Sequence, residues 1–558
     1  MVALEGKEQK LPYELLLGCA LGWAGVLMVG QSWNFLYADD ALPFVVRVFQ
    51  GQTHPHHLIL GVLAGLNAMI GWREPPQFVW TLGLVRAYVV LMSILGLVGL
   101  GYLAWRWFQT RWAVGVAVLV TAGSYGYWSY SVVPDFYVPG IAAVIGAAIA
   151  LEHFQVTGQR WWLAGVVGCV WLAAMNHQSY AVFAVIAASV LLHAKQHRSA
   201  TFFLASSLLL LGATYVSAFL LQHEYQSLWH FVLGYASHMQ FTPYDHLQWL
   251  TPLYALVGIV RAWTFPEYFL RLDPVASWAQ ERWRMKLFLD ERFLLRGIDP
   301  FLAVLLGVLG ILATLFLVGL ALREVGKRRE QFRGRWSFSA LLGWACVLGV
   351  VAVFWEPSSN EFWLWMPPVG ALLVAGVRDR WRWAVAGAGG ALVLTTAPVI
   401  WLYRSPDNDI YSVNKQYRER LSSDDVLLTA DFQQVRALNW LYPTRARVLE
   451  FELGRLEWED RRLQQVLWEL ARPEARGRLV LDPLIVMPHP SESALRMKLP
   501  RYTEAHVEGV LQRIAAFCQA EAVGTEPRRR VPLLGVWRDG GGVVEFQRRQ
   551  LPGMQWVQ

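Results

Sequence analysis

The residues best suited to chemistry are acids, histidines and one arginine in an otherwise apolar chain. They are Asp39 and Asp40, the run His54-Pro55-His56-His57, Arg86, Asp135, His177, Glu356 and Glu361. Asp39-Asp40 is an adjacent acidic pair. It serves either as a helix N-cap in a solvated loop or as a general base or metal ligand. Two neighbouring carboxylates in a loop point different ways, so one does the chemistry and Asp40 is the preferred base. Adjacent carboxylates also suit a hard divalent cation, Mg or Mn. The histidines His54, His56 and His57 have three readings. They bind a transition metal, donate hydrogen bonds to a phosphate, or anchor an interfacial helix starting near Leu58. A zinc site needs three or four convergent ligands, and no Cys accompanies these histidines. Arg86 snorkels, pairs with a carboxylate, or supplies positive charge to an anionic headgroup. His177 is either a buried, satisfied histidine or part of a substrate site. Glu361 either caps the following helix or, with Glu356 and Asp135, meets substrate.

These residues sit in short, aromatic-rich loops beside apolar runs, as in Tyr-Ala-Asp-Asp-Ala-Leu-Pro-Phe and Phe-Trp-Glu-Pro-Ser-Ser-Asn-Glu-Phe-Trp. Carboxylates at the edge of hydrocarbon are costly unless used or paired. The elements that position them are membrane spans. Of 558 residues, 55% are hydrophobic and only 16% charged, and mean hydropathy is +0.32. That balance excludes an ordinary soluble enzyme and a disordered chain. The 29 Trp suit interfacial belts. Eleven segments could span, roughly 11–31, 79–104, 113–131, 138–154, 161–175, 179–194, 201–222, 301–322, 338–355, 362–377 and 383–403. The segment Trp249–Trp263 is too short and reads as re-entrant or interfacial. The mixed stretch 263–300 suits a helix in the interface plane.

Lys and Arg collect in one set of loops: Lys7, Lys10, Arg106, Arg111, Arg160, Lys195, Arg198, then Arg323 to Arg335, then Arg378, Arg380 and Arg382. The loops around 132–137, 175–179 and 355–361 carry none. This asymmetry places the N-terminus in the cytoplasm. It leaves the loops 32–78 and 223–300 and the tail outside. After Tyr403 the apolar runs stop. Strands are expected at Asp424–Ala430, Ala446–Phe451, Gly477–Val486, Val531–Val536 and Gly542–Gln547. Helices are expected at 432–441, Arg461–Ala471 and His506–Ala522. The expected fold is therefore mainly α and polytopic, with about eleven transmembrane helices over 1–403 and an extracytoplasmic α/β domain over 404–558. The cysteines Cys19, Cys169, Cys346 and Cys518 show neither a disulfide framework nor zinc spacing. Nothing points to nucleic acid.

The first 110 residues resemble the start of the GT-C superfamily of integral membrane glycosyltransferases, in particular bacterial members of the protein-mannosyltransferase and aminoarabinose-transferase type. The matching pieces are Ala38-Asp39-Asp40-Ala41, Thr53-His54-Pro55-His56-His57-Leu58, Gly61–Gly71 as an interfacial helix, and Leu84-Val85-Arg86-Ala87. Asp135-Phe136-Tyr137 is similar to an acidic-aromatic element of that family. Two features depart: His56-His57 stands where relatives often have Pro-Pro, and no Trp-Trp-Asp triplet is present. The resemblance implies a sugar donor linked to polyprenyl phosphate and an acceptor that is a lipid, glycan or protein. It implies an inverting displacement at the outer face of a prokaryotic inner membrane. Asp40 would be the base and Asp39 its partner. His54, His56, His57 and Arg86 would hold the donor phosphate. Asp135, His177, Glu356 and Glu361 would face acceptor or substrate. Two other classes compete, a transporter or flippase for a lipid-linked sugar and a non-enzymatic membrane scaffold. A transporter would show repeats and midplane charges, and neither is evident here.

Overall fold

A computed structural model describes residues 11–32, 41–72, 74, 77–221, 227–229, 231–232, 251–276, 294–332, 334–355, 357–377, 379–404, 418–429, 444–450, 457–481, 504–520, 522–523, 526–527, 529–536 and 554–557. Asp39, Asp40 and Glu356 lie outside these residues, as do the helix expected at 432–441 and the strand at Gly542–Gln547. The described helices in the apolar part are α1 (Tyr13–Val29), α2 (Ala41–Phe49), α3 (Ile59–Ile70), α4 (Phe78–Phe108), α5 (Arg111–Gly123), α6 (Tyr125–Ser131) and α7 (Tyr137–Thr157). They continue with α8 (Arg160–Asn176), α9 (Val182–His193), α10 (His197–Leu220), α11 (Thr251–Trp263), α12 (Pro300–Phe332), α13 (Trp336–Trp355), α14 (Met366–Ala375) and α15 (Asp379–Arg404).

Six of these, α4, α7, α10, α12, α13 and α15, are long and apolar enough to cross a membrane. Several reach such lengths because apolar runs of Leu, Val and Ala carry few charges, so backbone groups satisfy each other within the helix. The chain is thus multi-pass by its helices. Helix α11 has 13 residues, too few to cross a bilayer core. The expected span 113–131 is two helices. Ser124 is extended, and its hydroxyl donates to the Thr121 carbonyl at 2.6 Å. Thr396 donates to the Gly123 carbonyl at 3.0 Å, so the break leaves this carbonyl paired.

The chain divides into two compact units, one of residues 1–32, 47–266 and 305–401, the other of residues 33–46, 267–304 and 402–558. In the first, α7 is central and packs on α4 and α8. Small residues permit the approach: a Cβ on Gly96 of α4 would lie 2.9 Å from the Ala142 Cβ of α7. Helix α3 buries Leu60, Leu63 and Asn67 while leaving Val62, Leu66, Met69 and Ile70 exposed. It is apolar on both sides, as a helix lying in lipid would be.

In the second unit, β1 (Val426–Thr429), β2 (Arg447–Glu450), β3 (Leu479–Leu481), β6 (Leu533–Val536) and β7 (Met554–Val557) form a parallel sheet in the order β2-β1-β3-β6-β7. A short antiparallel pair, β4 (Ala522–Val523) and β5 (Glu526–Pro527), stands apart. Helices α16 (Arg461–Leu470) and α17 (Glu504–Gln519) pack on one sheet face, against Val426, Leu428, Leu479 and Leu481. Leu427, Val480 and Leu534 form a core on the other. Burial on both faces explains why these strands are continuous apolar runs. Asp460 begins α16 by accepting from the Arg462 and Leu463 N–H groups at 2.8 and 3.3 Å. Asp425 is buried before β1 and forms a fork with Arg478 at 2.9 and 2.7 Å. Burial alone would raise its pKa, but the hydrogen bonds from Arg478 and Ser422 bring it below the usual carboxylate value.

Candidate functional site

Four separate stretches meet at one end of the first unit: 54–57, 135–137, 176–178 and 360–362. Backbone and side-chain hydrogen bonds join the first and third. The Gln178 N–H donates to the His56 carbonyl at 3.1 Å, and the His57 Nδ1–H donates to the Asn176 carbonyl. Asn176 ends α8, and His177 follows it in extended geometry, with φ −154° and ψ 123°. That single extended residue turns the chain into a short 3-10 segment, Gln178–Ala181. His177 Nδ1 accepts from the Ser179 N–H at 3.3 Å and pairs with its hydroxyl at 2.6 Å. The histidine therefore caps the turn as well as facing the site.

The rings of His54, His56, His57 and His177 form a cluster. His57 and His177 lie 5.1 Å apart, His54 and His56 5.5 Å, and His56 and His177 6.0 Å between centroids. Tyr137 stacks on His177 at 4.8 Å, and Phe136 lies 5.8 Å from His57. All four histidines are buried. Burial lowers the pKa of each, to about 4 for His56 and about 3 for His57, and well below the usual value for His54 and His177. The cluster is therefore neutral near pH 7 and offers hydrogen bonds rather than full charge.

Hydrogen-bond partners assign the tautomers. His54 Nδ1 accepts from the His56 backbone N–H at 3.3 Å, so its proton sits on Nε2. His177 likewise carries its proton on Nε2. His57 donates through Nδ1, so its Nε2 is an acceptor. His56 Nε2 is 3.5 Å from the Gln178 amide nitrogen. Tyr215 braces this group, donating to the Pro55 carbonyl at 3.1 Å and to Gln178 Oε1 at 3.4 Å. Tyr88 donates to Asn176 Oδ1 at 2.8 Å.

The acids stand beside the histidines. Asp135 is 1% exposed, and its Oδ1 accepts from the Phe136 N–H at 2.5 Å. Glu361 accepts from the Tyr130 hydroxyl at 2.9 Å. The charges of both acids act on that hydroxyl. Glu361 lies inside a 3-10 turn, Asn360–Trp363, whose N-cap is Ser359. Glu361 is the acid in the first turn of that 3-10 segment, the helix that follows has Trp365 at its N-cap, and the Glu361 carboxylate holds Tyr130. Arg86 sits two turns into α4, where an Nη donates to the Ser32 carbonyl. The Ser32 N–H donates in turn to the Val132 carbonyl at 3.1 Å. The arginine therefore braces the end of α1 beside the turn that precedes Asp135.

Among the described residues, no group of three His, Cys, Asp or Glu side chains is arranged to hold a metal ion. The histidine cluster is accordingly a hydrogen-bonding surface. Tyr88, Tyr130 and Tyr215 play parts that their sequence setting did not single out. Each is a phenol within an apolar helix, where its hydroxyl requires a partner.

No protein-family model matches the chain, and no curated protein sequence matches it significantly. Among solved structures it is similar to ArnT from Cupriavidus metallidurans, in a form bound to undecaprenyl phosphate and in the apo state. Identity is 13% and 14%, with TM-scores of 0.36 and 0.38, over 78% of this chain and 85% of that one.

Proposed function

We propose that this chain is a membrane glycosyltransferase that moves a sugar from a polyprenyl-phosphate donor to an acceptor hydroxyl. The observation that carries the reading is the convergence of the histidine loop 54–57 with Asp135, His177 and Glu361. Scattered solvated loops would not bury four histidines and Asp135 together and set a half-buried Glu361 beside them. In the proposed reaction, the Asp40 carboxylate takes the proton of the acceptor hydroxyl, with Asp39 as its partner. The acceptor oxygen bonds to the anomeric carbon. The bond from that carbon to the phosphate oxygen breaks, and its electron pair leaves with the polyprenyl phosphate. A single displacement inverts the anomeric carbon. The Nε2–H groups of His54 and His177, with the Arg86 guanidinium, meet the charge as it develops on the phosphate. His57, committed to Asn176 through Nδ1, offers Nε2 to a hydroxyl of the bound sugar. His56, held by Gln178, completes the donor pocket. Asp135, Glu356 and Glu361 face the acceptor. Asp39 and Asp40 are also where a magnesium or manganese ion would bind, and no step above depends on one. In this reading the active site and tail lie on the outer face of a prokaryotic inner membrane and the N-terminus in the cytoplasm, as the Lys and Arg asymmetry of the loops supports.

Mass spectrometry of lipids copurifying with gently solubilised wild type and Asp40→Asn tests this reading. Enrichment of a polyprenyl-phosphate sugar, greater in Asp40→Asn, is expected. Bulk phospholipid alone in both, with unchanged sugar transfer in the variant, would overturn it.

A further inference from the structure

The far end of the first unit carries a second polar cluster with the opposite character. Helices α5 and α15 begin side by side there. A Cβ on Gly389 would lie 3.1 Å from Leu119, and one on Gly123 would lie 2.8 Å from Val393. This parallel packing brings Arg111-Trp112 beside Arg380-Trp381-Arg382-Trp383. Helix α12 arrives from the other direction, with Phe316 5.9 Å from Trp381.

Trp381 has two guanidinium groups against it. Arg323 and Arg380 each place Cζ 5.8 Å from its centroid. Arg382 lies 6.0 Å from the Trp112 ring and pairs with Asp379 at 2.9 Å. Neither Arg323 nor Arg380 makes an ion pair among the described residues. Cation–π contact holds each guanidinium in place but leaves their charge unneutralised. The same patch holds three N–H groups without acceptors: Trp112 Nε1, Trp381 Nε1 and Arg382 Nε. Arg323 and Arg380, which lie over the Trp381 ring, are themselves exposed. Among the described residues the patch is thus rich in donors and positive charge, with Asp379 as the acid paired to Arg382.

We propose that this cluster of Trp112, Arg323, Arg380, Trp381 and Arg382 is a binding site for the phosphodiester headgroup of an anionic phospholipid. A phosphodiester supplies the missing acceptors and the missing negative charge in one group. The setting selects a lipid over a free anion. The arginines stand at the ends of apolar helices, and Trp383 beside them is 81% exposed, as an indole at the headgroup level would be. Basic pockets between spanning helices are known to suit anionic headgroups. The site lies at the opposite end of the helices from the histidine cluster, and its occupancy does not depend on the glycosyl-transfer reading.

Native mass spectrometry of the full chain in detergent, titrated with phosphatidylglycerol or with phosphatidylcholine of the same acyl chains, tests the site. Each arginine near a headgroup is worth about fivefold in binding. The double variant Arg323→Gln/Arg380→Gln should therefore lose about twenty-five-fold of the wild-type preference for phosphatidylglycerol. A control with the same charge change in the tail, Arg461→Gln/Arg513→Gln, should lose none. Trp381→Phe keeps the ring and removes its N–H. It should weaken phosphatidylglycerol about threefold, and it decides the matter if the double variant does not fold. Unchanged preference in both cluster variants, or an equal loss in the tail control, would overturn the proposal. Displacement of phosphatidylglycerol by millimolar inorganic phosphate would also overturn it, by showing a general anion site.

Discussion

The two ends of α7 face different demands. At Tyr137 the chain withdraws its histidines from solvent, keeps them uncharged and ties them to neighbouring groups. His54, His56, His57 and His177 are neutral there, and backbone carbonyls and amides fix the tautomers of His54, His57 and His177. At the other end, Glu152 is buried in an ion pair and exposed arginines stand beyond it. Arg335 donates to Glu152 at 2.9 Å, Ser337 bonds the second carboxylate oxygen, and arginines beyond them lie against indoles. The difference teaches how one set of helices serves two purposes. A site for a bound reactant benefits from preset, uncharged donors and acceptors that need no reorganisation. An end that must sit in a headgroup layer benefits from fixed charge.

Breaking the charged end should affect folding most. Glu152 is nearly buried and meets both Arg335 and Ser337. Glu152→Ala should destabilise the chain by about 3–5 kcal/mol, measured as the unfolding midpoint in detergent, without altering the turnover of the protein that remains folded. Breaking the neutral end should affect chemistry most. His57→Gln, by removing a hydrogen bond to the sugar that strengthens in the transition state, should lower kcat by about a hundredfold with a smaller change in unfolding midpoint. Equal loss of stability and rate would merge the two ends into one structural role.

The pH dependence of stability sharpens the same contrast. The histidines have folded-state pKa values below their unfolded value of about 6.5, so at acid pH the unfolded chain binds more protons. Their contribution is intact above about pH 6.5 and is lost as pH falls toward the folded values of about 4 for His56 and about 3 for His57. Between pH 6.5 and 5.5, His56 and His57 together should cost about 2 kcal/mol. His56→Gln/His57→Gln should flatten that slope in thermal unfolding curves collected from pH 8 to 5. Gly140→Ala should cost about 1–2 kcal/mol, because its Cβ would be 2.2 Å from the Tyr180 ring. Its signature is a raised KM, since Tyr180 lies 5.5 Å from His177. The smallest effect is expected from Tyr88→Phe. Loss of its bond to Asn176 should cost about 1 kcal/mol, read as the same unfolding shift.

Much of the helical framework was legible in the sequence because apolar runs bounded by arginine leave few alternatives. A helix stands at each of the eleven candidate segments, although six have the length and composition of spans. The break at Ser124 was not legible. A Ser beside Gly123 in an apolar run looks tolerable in a helix, and only the packing around Thr121 and Thr396 makes it a corner. The polar loops were legible as residues but not as an assembly. No spacing rule joins His57 to Asn176 across 119 positions, and the tautomer of each ring depends on that pairing. The strand at β7 was also missed. It is short and follows Pro552-Gly553, so turn signals outweighed Met554–Val557.

The parallel sheet has a further consequence, for the order in which the second unit can be made. Every neighbouring pair in it joins strands that a hairpin cannot connect, so each pairing waits for a whole crossover segment. Val426 meets Arg447 on one side and Leu479 on the other, and Leu479 meets Leu533. Such nonlocal pairing makes for slow folding, with apolar strand edges open in the meantime. A newly synthesised tail would thus depend on protection from aggregation until β6 and β7 close the sheet.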